Sequence, residues 1–455
     1  MIDFDLSEAA ELSGGTLTGK DVRISRVSTD SRDCRGALFI ALRGEKFDGH
    51  DFTGQAEQNG AVALGVSRPC GGTLPRITCP DTLRLLGLCG LICRRCSRAK
   101  VLSLTGSCGK TTVKEFCASI LARCGRTVAT AGNFNNDVGV PLTLLCLERD
   151  TEFAVIEQGA SHPGDIRRTC EFVQADVALI NNAGTAHLSG FGSLEGVYLG
   201  KSEILDDVLS RGGMGIVPRE SPWYERWQHD YASYFKAGKL FSFGRGPECL
   251  VSCGGEHMEE GKLCFELKIP EASFKVRLAL PGLHNALNAA AACSLCILAG
   301  APAEALRQGL ESAAAIKGRL NFRDLGRLVL IDDTYNASFD AVTAALDLLK
   351  AQDGYKIMIL GDMGELGADE QRLHAQVGEH ARSCVDELLA LGPLSVFSCT
   401  AAGSCAHHFD SAGELIKYAT SLAAGRRCVF LVKGSHAMHM EKIGRALEDF
   451  AGVQV

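Results

Sequence analysis

Apolar residues in this chain fall into short unbroken runs at residues 101–104, 153–156 and 177–180, each bounded by polar or helix-like stretches. Strands buried on both faces read this way, so a parallel sheet is predicted from about residue 81 onward. Before it, runs at 37–42 and 61–66 alternate with turns and predict a small mixed α/β unit. Between 240 and 280 the pattern changes to alternation broken by Gly254-Gly255 and Glu260-Gly261, which predicts antiparallel hairpins attached to the central sheet. An alanine-rich stretch, 284–300, predicts a buried helix that closes this unit. After Gly318-Arg319, runs at 328–331, 356–360, 387–391 and 429–432 alternate with helical segments, the pattern of a separate, Rossmann-like doubly wound unit. The expectation is an α/β chain of three domains, 1–80, 81–316 and 317–455, with no internal repeat.

Composition narrows what such a chain can do. At 455 residues it is long enough for two or three cores, and 46% hydrophobic against 22% charged residues suits them. A formal net charge of -7 supplies no general positive field for nucleic acid or an acidic membrane. The start, Met1-Ile2-Asp3-Phe4-Asp5, lacks a basic and apolar leader, so a cytoplasmic protein is expected. The most apolar stretch, 286–300, contains Asn288 and Ser294 and is too short for a membrane span. Twenty cysteines scattered through a chain of this length predict reduced, packed thiols. Cys93-x-x-Cys96 and Cys293-x-x-Cys296 fall in helix-like segments and read as small core residues.

The strongest chemical signal is Thr105-Gly106-Ser107-Cys108-Gly109-Lys110-Thr111-Thr112, between a predicted strand and a helix through 113–121. Two glycines let backbone N–H groups curl toward phosphate oxygens, and the helix N-terminus adds positive potential. Lys110 supplies a point charge, and the Thr111 hydroxyl is suited to magnesium. A central P-loop, mononucleotide-binding sheet follows. Leu104 stands where the strict pattern has glycine, which argues against ordinary P-loop GTPases and kinases, and the chain has no Asn-Lys-x-Asp guanine-reading motif. Ligands of open α/β sheets gather at the carboxyl ends of strands. Glu157 ends one run and His187 follows another; Lys201 opens a helical turn not far beyond. Spacing alone leaves Glu157 open between a magnesium ligand and a solvated carboxylate, favours a packed or surface role for His187, and reads Lys201 as surface charge.

The order and wording of these segments resemble the Mur ligase family over nearly the whole chain. Thr29-Asp30-Ser31-Arg32, residues 36–44 and residues 47–52 are similar to that family's UDP-binding domain. Residues 132–141, 332–337, 361–367 and 431–435 resemble the branch that adds D-alanyl-D-alanine to UDP-N-acetylmuramoyl-tripeptide, and the Asp-Asn-Pro-Arg motif of the diaminopimelate-adding branch is missing. The resemblance implies an ATP-dependent ligase of peptidoglycan synthesis acting through an acyl phosphate, with those two compounds as its partners, as a monomer. It implies that Gly106, Ser107, Cys108, Gly109, Lys110, Thr111, Thr112, Asn285, Asn288, Arg319 and Asp333 bind ATP, and that Thr111, Glu157, His187 and Lys201 serve two magnesium ions. Lys110, Lys201, Glu157 and His187 become the expected catalytic set, with Lys201 carbamylated. Ser31, Arg32, Asp48, Gly49, His50, Asn135, Asn136, Lys433 and Ser435 become the expected substrate contacts. Two departures from the family pattern stand out: His436 where arginine is usual, and Ser338-Phe339 in place of Asn-Pro.

Overall fold

Continuous apolar strands do assemble a central sheet. The computed structural model describes residues 1–44, 46–313, 318–423 and 425–453. Nine strands lie in the order Ala272–Leu278, Lys262–Ile269, Val251–Glu259, Leu240–Gly244, Met214–Pro218, Val177–Ile180, Lys100–Thr105, Phe153–Glu157, Thr127–Ala129. Strand Lys100–Thr105 is buried along nearly its whole length and pairs in parallel with Val177–Ile180 on one side and Phe153–Glu157 on the other. The chain leaves it toward Thr127–Ala129 and returns to its other flank at Val177–Ile180, so the connections diverge at this strand's carboxyl end. Such a switch point opens a crevice for ligand.

Two apolar layers hold the sheet. On one face helices Lys110–Leu121, His284–Leu298 and Ala303–Glu311 pack, with Phe116, Ile120, Leu295 and Leu306 fully covered. On the other, helices Asp165–Val173 and Leu194–Ser210 cover Val101, Ala154 and Ala178. The predicted helix at 284–300 is therefore real and buried, for the reason its alanines suggested: small side chains allow close approach to the sheet. The antiparallel prediction for 240–280 is too broad. Leu240–Gly244 runs parallel to both neighbours, and antiparallel pairing begins only between Val251–Glu259 and Lys262–Ile269. Its apolar content, buried except for a half-covered Phe241, follows the rule for an inner parallel strand.

Helix Thr82–Cys96 joins this unit to the N-terminal one. Its start is capped by the Asp81 carboxylate, which accepts the Arg84 N–H at 2.9 Å. Leu85, Cys89 and Cys93 face the N-terminal core, while Leu88 and Leu91 face the central one. The N-terminal sheet orders Thr16–Thr18, Arg76–Thr78, Ala63–Val66, Leu38–Ile40, Val27–Ser28, with only the first pair antiparallel. Cys93, Cys293 and Cys296 are buried as core residues, but Cys96, at the end of helix Thr82–Cys96, is exposed, so its spacing misled; every cysteine is unpaired. Among the described residues no helix is long and apolar enough to cross a membrane.

The C-terminal sheet orders Asn321–Asp324, Leu328–Asp332, Cys428–Lys433, Tyr355–Gly361, Glu387–Leu391, Ala406–Phe409; all pairs are parallel except the first, an edge hairpin that local pattern did not predict. Apolar clusters cover both faces. Helices Glu370–Ala381 and Ser395–Ala402 pack so tightly that a Cβ on Gly378 would lie 2.0 Å from the Ser398 carbonyl oxygen. Gly378→Ala is expected to force these helices apart and cost about 1–3 kcal/mol, read as a lower midpoint in thermal or denaturant unfolding; an unchanged midpoint would show that the contact is softer than this.

Candidate active site

The loop after strand Lys100–Thr105 curls tightly because Gly109 takes φ +74°, a conformation that side chains disfavour. A Cβ there would also meet the Asn181 and Asn288 side chains at 2.6 Å. These two amides bond each other at 3.0 Å, and Asn181 donates to the Cys108 carbonyl at 3.0 Å. Asn285 in turn accepts from Asn288 at 2.9 Å. The Asn182 side-chain oxygen accepts from Ser107 N–H at 2.8 Å and Cys108 N–H at 2.9 Å, while the Ser107 hydroxyl accepts from Gly184 N–H at 2.9 Å. The loop's donors thus converge on one spot, with helix Lys110–Leu121 pointing its N-terminus the same way.

Lys110 lies at that spot and donates to the Gly106 carbonyl at 2.6 Å. Burial holds its ammonium below the usual lysine range, and Glu157 pulls the other way. Glu157, almost wholly covered at the end of its strand, accepts from the Thr111 hydroxyl at 3.1 Å and the Asn135 amide at 2.7 Å. Its buried carboxylate removes the reading of Glu157 as a solvated strand-end acid. Arg319, from beyond the central unit, donates to the same Thr111 hydroxyl at 3.0 Å and stacks its guanidinium 4.2 Å from the Tyr335 ring centroid. Lys433 bonds Asp333 at 2.5 Å and the Asn336 carbonyl at 2.9 Å.

These groups line one cavity of about 1230 Å³ between the central and C-terminal sheets. Thr112, Asn136, Asn285 and Ser435 line it too. His187 does so from a left-handed backbone, φ +60°, with Nδ1 3.3 Å from the Ser161 hydroxyl and paired with the Glu365 carboxylate. That pairing lowers the Glu365 pKa. His284 opens the alanine-rich helix at the cavity wall.

Lys201 stands just behind the cavity. Ser193 caps helix Leu194–Ser210 by accepting from Gly196 N–H at 2.9 Å, which sets Lys201 two turns in. Its side chain is fully buried, 5.5 Å from the Phe191 ring centroid and 3.5 Å from the Ala160 carbonyl. Burial, then the positive Lys110, holds its pKa well below the ordinary lysine value.

The remaining expected contacts lie elsewhere. Ser31, Arg32, Asp48, Gly49 and His50 belong to the N-terminal unit and do not line the cavity. Ser31 donates to Gln55 at 2.8 Å, and Arg32 pairs with Asp30. Asp48 holds His50 Nδ1 at 2.6 Å while His50 Nε2 accepts Ser67 N–H at 2.9 Å, so both ring nitrogens serve the fold. Gly49 has no room for a Cβ, which would meet the Leu42 carbonyl at 2.7 Å. Local reasoning assigned no role to Asn182, Thr185, Asp340 or Glu365. Asn181-Asn182 was visible as a polar pair at a strand end; Asp340 carried no such signal, yet it accepts from Thr185 N–H at 3.1 Å and its hydroxyl at 3.0 Å across the cavity.

Comparison with known proteins gives this geometry a family. Residues 104–296 match the Mur ligase middle domain, 318–436 the Mur ligase glutamate ligase domain, and 23–70 the Mur ligase family catalytic domain. UDP-N-acetylmuramoyl-tripeptide--D-alanyl-D-alanine ligase of Escherichia coli K12 is 40% identical over 453 residues, 99% of either chain. A crystal structure of MurF from Acinetobacter baumannii superposes with a TM-score of 0.93 at 34% identity, covering 99% of both chains. MurF of Thermotoga maritima in complex with ADP superposes at 0.84 with 26% identity, over 94% of this chain and 98% of that one. The chain belongs to the Mur ligase family.

Proposed function

We propose that this chain joins D-alanyl-D-alanine to UDP-N-acetylmuramoyl-tripeptide at the expense of ATP, in the cytoplasm. The observation that carries the proposal is the cavity itself: a glycine-rich phosphate loop with Lys110 faces Arg319, Asp333 and Lys433 across one space. Relatives matched over 99% of this chain, both UDP-N-acetylmuramoyl-tripeptide--D-alanyl-D-alanine ligases, support this choice of substrates.

Amide formation from a carboxylate in water is uphill. The tripeptide's terminal carboxylate oxygen attacks the γ-phosphorus of ATP, the bond to the β-bridging oxygen breaks, and ADP leaves. The dipeptide amine attacks the resulting acyl phosphate, loses a proton through a tetrahedral intermediate, and expels inorganic phosphate. Two anions must meet in the first step, and Lys110 with the loop's N–H groups offsets their repulsion. Arg319 stands ready to do the same from the opposite side.

The oxygen donors of Thr111 and Glu157, 3.1 Å apart and buried, suit a hard divalent cation such as magnesium. His187 and a carbamate on Lys201 would hold a second. When bound, the ions add positive charge beside the transferring phosphoryl group. Carbamylation needs an amine free of its proton: the nitrogen lone pair bonds the carbon of carbon dioxide, one proton leaves, and a cation becomes an anion. A buried lysine whose one hydrogen-bond acceptor among the described residues is a carbonyl at 3.5 Å, and whose pKa burial and Lys110 depress against the pull of Asp165 and Glu203, meets that need. Asn285, Asn288 and Asp333 take the rest of the nucleotide, Asn135, Asn136, Lys433 and Ser435 the peptide ends, and Ser31, Arg32, Asp48, Gly49 and His50 the region of the UDP group. Because water destroys an acyl phosphate, the C-terminal unit closes over the cavity. We place the hinge near Lys317-Gly318, of which Lys317 lies outside the described residues and Gly318 takes φ +71°.

Phosphate release from ATP is expected to require both substrates together, and Lys110→Ala to lower its turnover by roughly 10²–10³-fold with unfolding unchanged; wild-type turnover in the variant would remove the loop from the chemistry. With the Lys201 pKa depressed, lowering the pH through it re-protonates the amine and discharges the carbamate, so activity should fall on acidification and on removal of carbon dioxide, and return with bicarbonate. Lys201→Arg should be inactive and indifferent to bicarbonate; retained activity there would refute the assignment. Small-angle scattering should show a smaller radius of gyration once a non-hydrolysable ATP analogue and the UDP-tripeptide are bound, and one unchanging profile would exclude closure.

A further inference from the structure

The hairpin at the edge of the central sheet, remote from the cavity, carries a cluster that the ligase chemistry leaves unused. Strands Val251–Glu259 and Lys262–Ile269 pair antiparallel, and their register shifts between Gly254 and His257, where Gly255 takes φ +71°. A bulge of this kind re-aims the side chains that follow it. His257 then sits directly opposite Cys264, and Glu259, two residues along, shares its face. Leu263, Phe265 and Leu267 fill the core side of the partner strand, which leaves Cys264 on the outer side.

The geometry has the dimensions of a metal centre. Ligating atoms of His257, Glu259 and Cys264 all lie within 4.8 Å of one another. Cys264 Sγ is 3.5 Å from Glu259 Oε2. Tetrahedral bonds of about 2.0–2.3 Å to nitrogen, oxygen and sulfur put neighbouring ligand atoms about 3.5 Å apart. His257 Nδ1 lies 2.8 Å from the Gly255 carbonyl oxygen. An N–H donated to a backbone carbonyl is the bond that orients a metal-binding imidazole, and it leaves the Nε2 lone pair outward. Arg277 is directly across the next strand pair from Cys264, and its charge is met by Glu260 at 2.5 Å; desolvation and the neighbouring Glu259 outweigh it and hold the Cys264 thiol above its usual range, so a bound ion has to displace that proton. Thiolate, carboxylate and neutral imidazole together balance one divalent ion.

We propose that His257, Glu259 and Cys264 form a binding site for a divalent cation of the zinc class, with the fourth position open to solvent. Binding breaks the Cys264 S–H bond, releases that proton and forms a metal–sulfur bond, so affinity falls as pH drops. The ion staples the hairpin beside its turn. A second group, Asp347, His380 and Cys384, has comparable spacing, but there His380 Nε2 is already bonded to Asp347 at 2.7 Å; Cys384 therefore serves as the control.

The test uses the full-length protein, stripped of metal by a chelator, kept reduced with a phosphine and titrated with cobalt(II). One equivalent should produce a sulfur-to-cobalt charge-transfer band and tetrahedral d–d bands, both displaced by zinc. Magnesium-type oxygen sites give no charge-transfer band. Cys264→Ser and His257→Ala should each lose the band, Cys384→Ser should keep it, and all three should retain substrate-dependent phosphate release. A band that survives Cys264→Ser, one that vanishes in Cys384→Ser, or a wild-type protein that shows none at micromolar cobalt overturns the proposal.

Discussion

A single close approach organises the catalytic end of the central sheet: the Gly109 backbone lies against the Asn181 and Asn288 amides with no room for a side chain. Asn181 ends the strand Val177–Ile180, and Asn288 sits on the helix that covers one face of the sheet. The loop, the strand end and the helix are therefore pinned at one point. From that point helix Lys110–Leu121 departs, and its direction determines where Lys110 and Thr111 stand. A larger residue would push the loop off both amides, leaving their buried donors and acceptors to find other partners, a cost that falls on the fold as well as on the ligand.

Charge is arranged around this pin in an unfinished way. Ser107 and Cys108 donate to Asn182, and Lys110 donates to the Gly106 carbonyl. These are neutral acceptors for groups suited to an anion. Exchanging them for phosphate oxygens trades ordinary hydrogen bonds for charge-assisted ones, roughly twice as strong. The loop thus stays satisfied without ligand and gains when one arrives. Glu157 is the counterweight: covered, and bonded by Thr111 and Asn135, it places one negative charge beside Lys110 and Arg319.

How much of this was legible in the sequence follows from how local each cause is. Runs such as 177–180 and 387–391 coincide with strands because burial on both faces leaves a continuous apolar mark. Leu240–Gly244 was misread in direction, since glycine turns beyond it look alike whether the preceding strand is parallel or antiparallel. The edge strand Asn321–Asp324 is short and polar at every position but Phe322, and only its pairing with Leu328–Asp332 defines it. At the site, the phosphate loop announces itself because its backbone demands glycine at fixed places. The burial of Lys201 could not be read that way, since it depends on Phe191 and Ala160 arriving from two other segments. Contacts between units, Thr185 with Asp340 and Thr111 with Arg319, join residues 155 and 208 positions apart and leave no local trace.

Those long-range contacts also differ in kind from the packing within each unit. Within each, apolar clusters are extensive; between them, the named bonds are polar, with Leu188 reaching both cores. Partly exposed polar pairs contribute roughly 0–1 kcal/mol each, so the resting association is weak and a ligand with a preference for one arrangement can govern it. Arg319 is the point where chemistry and position meet. It bonds the Thr111 hydroxyl, the same oxygen that suits a divalent cation. On the proposed function, a cation held there would repel the guanidinium at short range, and a polyphosphate beside it would offer the guanidinium a new partner. Arg319 is thus the residue through which binding at the phosphate loop would be felt by the C-terminal unit.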